Sequence, residues 1–355
     1  MKKTQNWIGI DVAKASFDVG LLLNGNKVFK EIQLAHFPRT EEGFHDCMRW
    51  VKQCCDDSEQ IVDDPLRVVL DSTGYYSMQL VSWIFKNYPE LKPSIINPSQ
   101  LKYFGAGLAL RNKTDEVDAR KHALFGYERQ PRPYDPLDPH YMELRELNRQ
   151  RTTLREELVS ARNRASCEVV TLSVRRVQKS HINHLEKLIA RIEDRIKKVV
   201  NSNDQLKNDV KLLLSIPGIG LISATVILGE FGDLRRFGTA REISAFSGLS
   251  PSRYQSGKKE KRSRISRKGP SHLRYKLYMP ALASTRGDND LARVYNRLVE
   301  NGKPKKSALC AVMRKLVVLS RSIIVNQVPY ENNFEQKRRA KNEFQQAGIS
   351  MTKCA

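Results

Sequence analysis

The amino-acid sequence predicts a mixed α/β unit followed by an α-helical region. Over residues 1–130, short strand-like and helix-like segments alternate, whereas residues 140–216 contain no proline and keep their apolar residues at helical spacing. The charge divides at nearly the same place, because residues 1–130 hold 17 basic and 17 acidic side chains and the rest of the 355-residue chain carries the whole net charge of +22. A neutral unit joined to a strongly basic one favours a polyanionic partner such as nucleic acid.

The first 130 residues predict a three-stranded meander and then alternating helices and strands. Strands are expected at residues 7–13 and 17–23, and a third at 27–34 follows the hairpin-turn sequence Asn24-Gly-Asn26. The later elements are expected in the order helix, strand, helix, strand, helix, at residues 41–54, 67–70, 79–87, 94–96 and 115–125. This order is typical of an RNase H-like α/β layer fold.

Two coiled-coil helices are predicted between Tyr141 and Val200. The first keeps leucine and alanine at heptad spacing with Arg151 in one apolar slot, and in the second apolar residues recur at steps of three and four from Ile182 to Val199. Such seams need a partner, which is either the other helix in an antiparallel hairpin or a second copy of the chain. The predicted domains are an α/β domain, a coiled-coil and oligomerisation region, a basic helical domain and a polar tail, at residues 1–130, 131–205, 206–328 and 329–355.

The composition argues against a secreted or membrane protein. The six cysteines form no CxxC pair and have no zinc-site spacing with histidine, so we expect reduced thiols in the cytoplasm. No signal-peptide core follows the N-terminus. Residues 212–229 lack charged side chains over a length that would suit a membrane span, but they include Pro217, Gly218 and Gly220, which a helix-hairpin-helix explains better.

Four aspartates are candidate metal ligands. Asp11 interrupts an apolar strand, where an unpaired buried charge is costly, and Asp71 ends another strand. Asp115 and Asp118 are three residues apart and share one helix face. Carboxylates from two strand ends and one helix can meet in one cleft, where they would bind one or two Mg²⁺ ions that activate a nucleophile and stabilise a phosphoryl transition state. Taken singly, each acid is more typical of a turn cap or a solvated helix face, so the prediction depends on their conjunction.

The segment from Leu213 to Gly220, followed by a helix from about Ile222, has the form of a helix-hairpin-helix. Its glycines and the following helix N-terminus would let backbone N–H groups approach a phosphate, which makes Pro217, Gly218 and Gly220 candidate nucleic-acid contacts. A plain core connection between two helices is an equally good interpretation of the same residues.

A dense basic segment follows, because residues 251–280 hold ten basic side chains and one acidic one. A patch of this density is expected to contact phosphate with strongly salt-dependent binding. Within it, Ser256 is a candidate nucleophile, since cationic neighbours would stabilise the developing charge. Composition alone favours a phosphate-contacting serine, and Ser263 or Ser266 would suit as well. The candidate phosphate contacts are Lys258, Lys259, Lys261, Arg262, Arg264, Arg267 and Lys268.

Six short motifs follow one another along the chain. They are Gly9-Ile-Asp-Val-Ala-Lys14, Asp71-Ser-Thr-Gly-Tyr75, Lys113-Thr-Asp-Glu-Val-Asp-Ala119, Ile216-Pro-Gly-Ile-Gly220, Phe246-Ser-Gly-Leu-Ser-Pro251 and Tyr254-Gln-Ser-Gly257. Together they resemble the motifs of the DEDD-type transposases of insertion sequences. These transposases are relatives of the Piv DNA invertases and are also known as bridge-RNA-guided recombinases. The resemblance covers about residues 6–325, and it is the order and spacing of the motifs that is specific.

The resemblance implies a RuvC-like catalytic domain at the N-terminus, a coiled-coil connection and a C-terminal transposase domain. It matches the four aspartates to the family's ligands for Mg²⁺ or Mn²⁺. It matches Ser256 to the family's nucleophile, which attacks DNA and holds it as a covalent phosphoserine link before strand exchange. One departure is Asp71, where the family usually has a glutamate that is one methylene longer.

The resemblance also implies partners. Family members are dimers or tetramers in which the acids of one protomer complete a site with the serine of another. They bind a non-coding guide RNA, encoded by their own element, whose loops pair with donor and target DNA. A cytoplasmic protein of a prokaryote, without a membrane partner, is therefore expected.

Three other functions fit part of the sequence. A structure-selective, resolvase-like nuclease would use the four acids without a covalent intermediate. A sugar kinase or actin-like ATPase also begins with a motif like Gly9-Ile-Asp-Val12 and a hairpin, but the second phosphate loop and the adenosine motif that it requires are not visible. A non-catalytic nucleic-acid-binding protein would account for the basic residues and leave the acids incidental.

Overall fold

The computed structural model describes residues 6–57, 65–72, 74–108, 114–166, 171–256 and 259–333, and the side chains of residues 75 and 253–263 lie outside this description. The chain forms two compact units, Met1–Pro136 and Leu137–Ala355, which we call the N-terminal unit and the C-terminal unit. Within the described ranges, none of the helices combines the length and the apolar character that crossing a membrane requires.

The N-terminal unit is a five-stranded sheet with helices on both faces, which confirms the predicted mixed α/β class. Its strands are β1 (Asn6–Val12), β2 (Ser16–Leu22), β3 (Gln33–Pro38), β4 (Leu66–Asp71) and β5 (Ser94–Ile96). Its helices are α1 (Glu41–Asp57), α2 (Tyr75–Asn87), α3 (Pro98–Gly107) and α4 (Asp115–Arg129). The strand order is β3-β2-β1-β4-β5, in which β1, β2 and β3 are antiparallel and β4 and β5 run parallel to β1.

The alternating side chains of β1 divide the core of this unit into two layers. Ile8, Ile10 and Val12 pack with residues of α1 and α2 in one apolar cluster, and Trp7 packs with residues of α3 and α4 in the other. Burial on both faces accounts for the near-continuous apolar sequence of this central strand. The odd-numbered residues of β1 therefore face α4, and Asp11 is among them.

The third strand lies later in the sequence than residues 27–34, where the alternating pattern had predicted it. β3 begins at Gln33, which pairs with Leu21 of β2. The prediction was wrong because Phe29–Glu31 forms a 3₁₀ turn. The register of β3 instead places Phe37 opposite Phe17, with ring centroids 5.7 Å apart, and such cross-strand aromatic pairs stabilise a sheet.

The C-terminal unit is mostly helical, as predicted, but it also contains a β-hairpin. Its helices are α5 (Pro139–Ala165), α6 (Leu172–Asn201), α7 (Asp204–Leu214), α8 (Leu221–Phe231), α9 (Ala240–Phe246), α10 (Ser271–Ser284), α11 (Asp290–Glu300) and α12 (Lys305–Asn326). The hairpin pairs β6 (Pro251–Ser256) with β7 (Lys259–Ile265). An all-helical region was the wrong expectation here, because a segment rich in Lys, Arg and Ser has little intrinsic strand preference and pairing with its neighbour determines its conformation.

Helices α5 and α6 pack against each other as an antiparallel pair. Arg162, late in α5, bonds to Glu186 with an N–O distance of 2.6 Å, whereas the earlier Arg151 bonds to the later Glu193 at 2.7 Å. The salt bridge with Glu193 neutralises the charge of Arg151 within the apolar seam. The seam is therefore filled within one chain, which is one of the two alternatives for its partner. Its buried residues toward the far end of the pair are Leu154, Leu158, Ala161, Leu185 and Ile189.

A buried carboxylate connects three helices of the C-terminal unit. Glu230 of α8 accepts two hydrogen bonds of 2.9 Å from the Arg149 guanidinium of α5. On its other side, Nδ1 of His272 in α10 lies 3.0 Å from Oε1 of Glu230, and Nε2 of His272 lies 2.9 Å from Oγ1 of Thr152. Burial opposes the charge of Glu230, but the hydrogen bonds from His272 and Arg149 outweigh it and lower the pKa of Glu230 to about 2.

We expect Glu230→Gln to lower the free energy of unfolding by about 3 kcal/mol at pH 7, because a neutral amide replaces the buried carboxylate that binds the half-exposed Arg149 and His272. The folded pKa lies below the ordinary value of 4.5, so the stabilisation is present above that pH and is lost as the pH falls toward 2. Urea unfolding of both proteins at pH 7 and pH 3 measures this difference. Glu186→Gln, which removes an exposed ion pair with Arg162, is the control and should cost less than about 1 kcal/mol. Equal costs at pH 7 would contradict the role of burial.

Candidate metal centre

Helix α4 lies directly on the backbone of β1 and β2. Gly9 and Gly20 are cross-strand partners. A Cβ atom on Gly9 would lie 2.1 Å from the backbone nitrogen of Ala123 and 2.4 Å from the carbonyl oxygen of Ala119, and one on Gly20 would lie 2.8 Å from that same oxygen. The helix can approach the strands this closely only because neither residue has a side chain. Asp11 is two residues beyond Gly9 and points to the same face.

The four predicted aspartates occupy one edge of the N-terminal sheet. Asp11 and Asp71 lie near the carboxyl ends of β1 and β4, which are parallel neighbours. Asp115 and Asp118 lie in the first turn of α4. Burial is the main factor that raises the pKa of Asp11 to about 7, followed by the charges of Asp71, Asp118, Asp115 and Asp18. The structure therefore places Asp71, Asp115 and Asp118 within interacting distance of Asp11.

The structure also brings a histidine to this edge that the sequence patterns did not single out. One carboxylate oxygen each of Asp11 and Asp71 and one ring nitrogen of His122 lie within 4.8 Å of one another. The available signal was the spacing of Asp118 and His122, since residues four apart share a helix face. It was missed because a lone histidine in an apolar helix segment is most often an ordinary core residue.

The other acids at this edge are paired or exposed. Asp118 forms an ion pair with Lys121, which lies one helical turn away, and Asp115 faces solvent. Asp18, opposite Asp11 in the register of β1 and β2, is buried, and its carboxylate lies 3.0 Å from Nδ1 of His36 on β3. Negative charge is therefore concentrated around Asp11.

His122 is buried, with 2% of its surface exposed. Burial, with a smaller contribution from Lys121, lowers the pKa of His122 to about 4 and keeps the ring neutral. The ring hydrogen bonds to the backbone of Ile10. Its Nδ1 atom has no hydrogen-bond partner among the residues that the structure describes. A neutral imidazole with one nitrogen bonded retains a second nitrogen that can bind a proton donor or a cation.

These residues fit a divalent cation. Carboxylate oxygens are the preferred ligands of Mg²⁺ and Mn²⁺. A cation between the acids would also offset the repulsion that Asp71 and Asp118 exert on Asp11. Although Asp71 is one methylene shorter than glutamate, its carboxylate reaches the group formed by Asp11 and His122. The short side chain is therefore compatible with ligation at this edge.

The second group of predicted residues lies on the hairpin of the C-terminal unit. Ser256 is the last residue of β6, and its backbone pairs with Lys259 of β7. Three predicted basic side chains near the end of the hairpin are exposed. Arg264 lies in β7, and Arg267 and Lys268 follow that strand. The predicted residues whose side chains lie outside the description are Ser256, Lys258, Lys259, Lys261 and Arg262.

The base of this hairpin is held by hydrogen bonds. The backbone nitrogen of Ser266 donates to the carbonyl of Ser250 at 2.8 Å. Arg274 of α10 donates from Nη1 to the carbonyl of Gly269 at 2.7 Å. The segment Phe246–Pro251, one of the six motifs, therefore serves to anchor the hairpin whose turn follows the candidate nucleophile.

The predicted nucleic-acid contacts in the turn between α7 and α8 have different surroundings. Gly218 has φ +86°, and a Cβ atom there would lie 2.4 Å from the carbonyl oxygen of Pro280, so this glycine is required for packing against α10. At Gly220, just before α8, the same construction meets no described atom within 4 Å. Pro217 is half-buried. The core-connection interpretation therefore suits Gly218, while Gly220 and the start of α8 remain open to a ligand.

Two segments of the chain match profiles of protein families. Residues 8–169 match a family described as Transposase, the DEDD type of IS110. Residues 210–296 match a family described as Transposase IS116/IS110/IS902 family. The first segment contains the four aspartates, and the second contains Ser256. The chain belongs to the IS110/IS116 family of DEDD transposases.

Curated relatives extend over both units. The pilin gene-inverting protein of Moraxella bovis is 28% identical over 338 residues, which is 95% of this chain and 100% of that protein. The pilin gene-inverting protein of Moraxella lacunata has the same identity and coverage. The transposase for insertion sequence element IS1111A of Coxiella burnetii is 35% identical over 101 residues, 28% of this chain and 27% of that protein. DEDD transposases generally depend on a divalent metal, which agrees with the acidic edge of the sheet.

We expect cation binding at this centre to weaken as the pH falls below 7, because the proton competes with the cation for Asp11, whose pKa is about 7. The effect approaches tenfold per pH unit, and calorimetric titration of Mn²⁺ at pH 6, 7 and 8 measures it.

The raised pKa of Asp11 also predicts how the free energy of unfolding depends on pH. The contribution of Asp11 to this free energy is fully present below its ordinary pKa of 3.8 and is lost as the pH rises through 7. Metal-free Asp11→Asn should therefore gain about 2 kcal/mol over the wild type at pH 8 and almost nothing at pH 4.

The matched control is Glu116→Gln, which removes an exposed acid from the first turn of α4. This variant should bind Mn²⁺ with the wild-type pH dependence. An affinity for Mn²⁺ that is the same at pH 6 and pH 8 would contradict the raised pKa of Asp11.

Proposed function

We propose that this chain is the DNA transposase or site-specific recombinase of an insertion sequence, which cleaves and exchanges DNA strands in a Mg²⁺-dependent reaction in the cytoplasm of a prokaryote. The observation that carries the proposal is the convergence of the four aspartates at one sheet edge in a chain of the DEDD transposase family. The strand order β3-β2-β1-β4-β5, with helices on both faces, supports a RuvC-like fold of the RNase H type for the N-terminal unit.

In this proposal the four aspartates hold the cation. When bound, Mg²⁺ would supply the positive charge that activates a nucleophile and stabilises the phosphoryl transition state. Asp11 must release its proton to act as a ligand, which the proximity of a cation favours. Lys121 orients the carboxylate of Asp118 through their ion pair.

Ser256 is the proposed nucleophile. Its oxygen forms a bond to a phosphorus atom of the DNA backbone while the bond from that phosphorus to a deoxyribose oxygen breaks. The serine proton passes to a base, and the departing oxygen takes up a proton. Because one phosphoester replaces another, a hydroxyl of a second strand can reverse the step and join new ends. The position of Ser256 at the end of β6, in the segment that matches the IS116/IS110/IS902 family, supports this role.

The basic residues near the hairpin are the proposed DNA contacts. Arg264, Arg267 and Lys268 are exposed and are held at the anchored base of the hairpin, where they would bind phosphate. The open N-terminus of α8 behind Gly220 would offer backbone N–H groups to a further phosphate. These contacts position the DNA without reading its sequence.

We expect Ser256→Ala to abolish a covalent protein–DNA adduct, while Asp11→Asn reduces its formation by about two orders of magnitude or more, because one variant lacks the attacking oxygen and the other lacks a ligand. Denaturing electrophoresis of labelled donor DNA after incubation with Mg²⁺ measures the adduct. Ser263→Ala, which removes another serine of the same basic segment, is the matched control and should keep it. Adduct formation at wild-type rates by Ser256→Ala would contradict the serine assignment. Mg²⁺-dependent cleavage with no adduct in the wild type would favour the resolvase-like nuclease.

The same assay addresses the proposed composite sites, in which the acids of one protomer act with the serine of another in a dimer or tetramer. A mixture of Asp11→Asn and Ser256→Ala protein then contains sites with intact acids and an intact serine. Recovery of adduct in the mixture supports the composite arrangement, and its absence indicates sites within one chain.

We further propose that the basic C-terminal unit binds a non-coding guide RNA encoded by the same element. The protein would recognise the RNA by shape and backbone charge, and base pairing would supply the sequence specificity. We expect a single defined small RNA to co-purify with the chain from its host at moderate salt, and sequencing the bound nucleic acid identifies it. Recovery of only bulk nucleic acid that moderate salt removes would contradict the guide-RNA proposal.

A further inference from the structure

His122 is a buried polar residue at the candidate metal centre. The proposed function assigns it no role. It lies on the inner face of α4, one helical turn after Asp118, where the approach of the helix over Gly9 brings it against β1. The ring bonds to the backbone of Ile10, and Nδ1 has no partner in the part of the chain that the structure describes. Interiors seldom leave such an atom unsatisfied, and an ion that binds it is one of the usual reasons.

The position of the ring indicates which kind of ligand it would bind. One of its nitrogens lies within 4.8 Å of a carboxylate oxygen of Asp11 and of one of Asp71. In octahedral coordination with bonds of about 2.1 Å, adjacent ligand atoms are about 3 Å apart and opposite ones about 4.2 Å apart. The three groups are therefore close to the separations that a shared cation requires. A neutral imidazole cannot form a salt bridge with two acids, whereas a shared cation can bind all three groups.

We propose that His122 is a third protein ligand of the cation that Asp11 and Asp71 hold. This inference rests on the metal-dependent function proposed above and adds a nitrogen to its oxygen ligands. Imidazole nitrogen binds first-row transition metals well and Mg²⁺ poorly. The centre should therefore prefer Mn²⁺ to Mg²⁺ more strongly than a site made of carboxylates alone.

Pulsed electron paramagnetic resonance on the full-length protein with one equivalent of Mn²⁺ tests the proposal. The nitrogen nucleus of a coordinated imidazole modulates the electron spin echo of Mn²⁺. We expect this modulation in the wild type and its loss in His122→Leu, together with a loss of Mn²⁺ affinity of about tenfold or more. The matched control is His45→Ala, which removes an exposed histidine of α1, a helix that packs on the other face of the sheet, and it should retain the signal.

Thermal unfolding separates ligation from a merely structural role. His122→Leu removes the unsatisfied nitrogen but also the bond from the ring to the backbone of Ile10, so in EDTA we expect an unfolding temperature close to that of the wild type. The stabilisation that Mn²⁺ gives the wild type should nevertheless shrink in this variant. If this variant does not fold, wild-type protein labelled with ¹⁵N-histidine still decides the matter. Replacing ¹⁴N by ¹⁵N must then change the echo modulation.

The outcomes distinguish this inference from the function on which it rests. A wild type that binds Mn²⁺ through Asp11, as shown by loss of binding in Asp11→Asn, but shows no nitrogen modulation overturns the role of His122 and leaves the metal-dependent function intact. Modulation that persists in His122→Leu also overturns it. A wild type that binds no Mn²⁺ overturns both proposals.

Discussion

The close approach of α4 to the backbone of β1 and β2 is the constraint on which the candidate site depends. A Cβ atom at Gly9 would lie 2.1 Å from a backbone nitrogen of the helix, whereas ordinary contact needs well over about 3 Å. A side chain there would displace α4 by more than an ångström. Cation ligands tolerate only a few tenths of an ångström. Two glycines without any chemistry of their own therefore decide whether Asp118 and His122 reach the edge where Asp11 and Asp71 lie.

The distribution of charge along the sequence is the second constraint. A cluster of carboxylates binds a divalent cation best when no permanent cation neutralises it first, and Asp11 shows the consequence in a pKa raised to about 7. Confining the positive net charge to residues 131–355 keeps the acids available while it supplies affinity for a polyanion. Lys121 offsets part of this negative charge through its ion pair with Asp118, and it also contributes to the lowered pKa of His122.

The sequence predicted those features whose signal lies in neighbouring residues, and it missed those that depend on residues far apart in the chain. An aspartate inside an apolar strand is conspicuous at short range, so Asp11 and the strand that ends at Asp71 were found without any tertiary information. The position of β3 and the hairpin of β6 and β7 were missed because pairing partners, which lie elsewhere in the chain, determine both. His122 was missed for a related reason. It is a candidate ligand only because two carboxylates on different strands lie beside it in the folded chain. Within its own helix, the only indication is its spacing from Asp118.

The C-terminal unit holds its candidate nucleophile in a different way. In the N-terminal unit the acids are placed by packing of helix backbone on strand backbone, which leaves little freedom. The hairpin that carries Ser256 is fixed at its base, where Arg274 bonds to Gly269. Arg274 is two residues after His272 on α10, and His272 contacts the buried carboxylate of Glu230. The base of the hairpin is thus connected through one helix to the buried carboxylate of Glu230, which also accepts two hydrogen bonds from Arg149. The support of this hairpin therefore comes from the hydrogen bonds at its base and from the helix that carries Arg274.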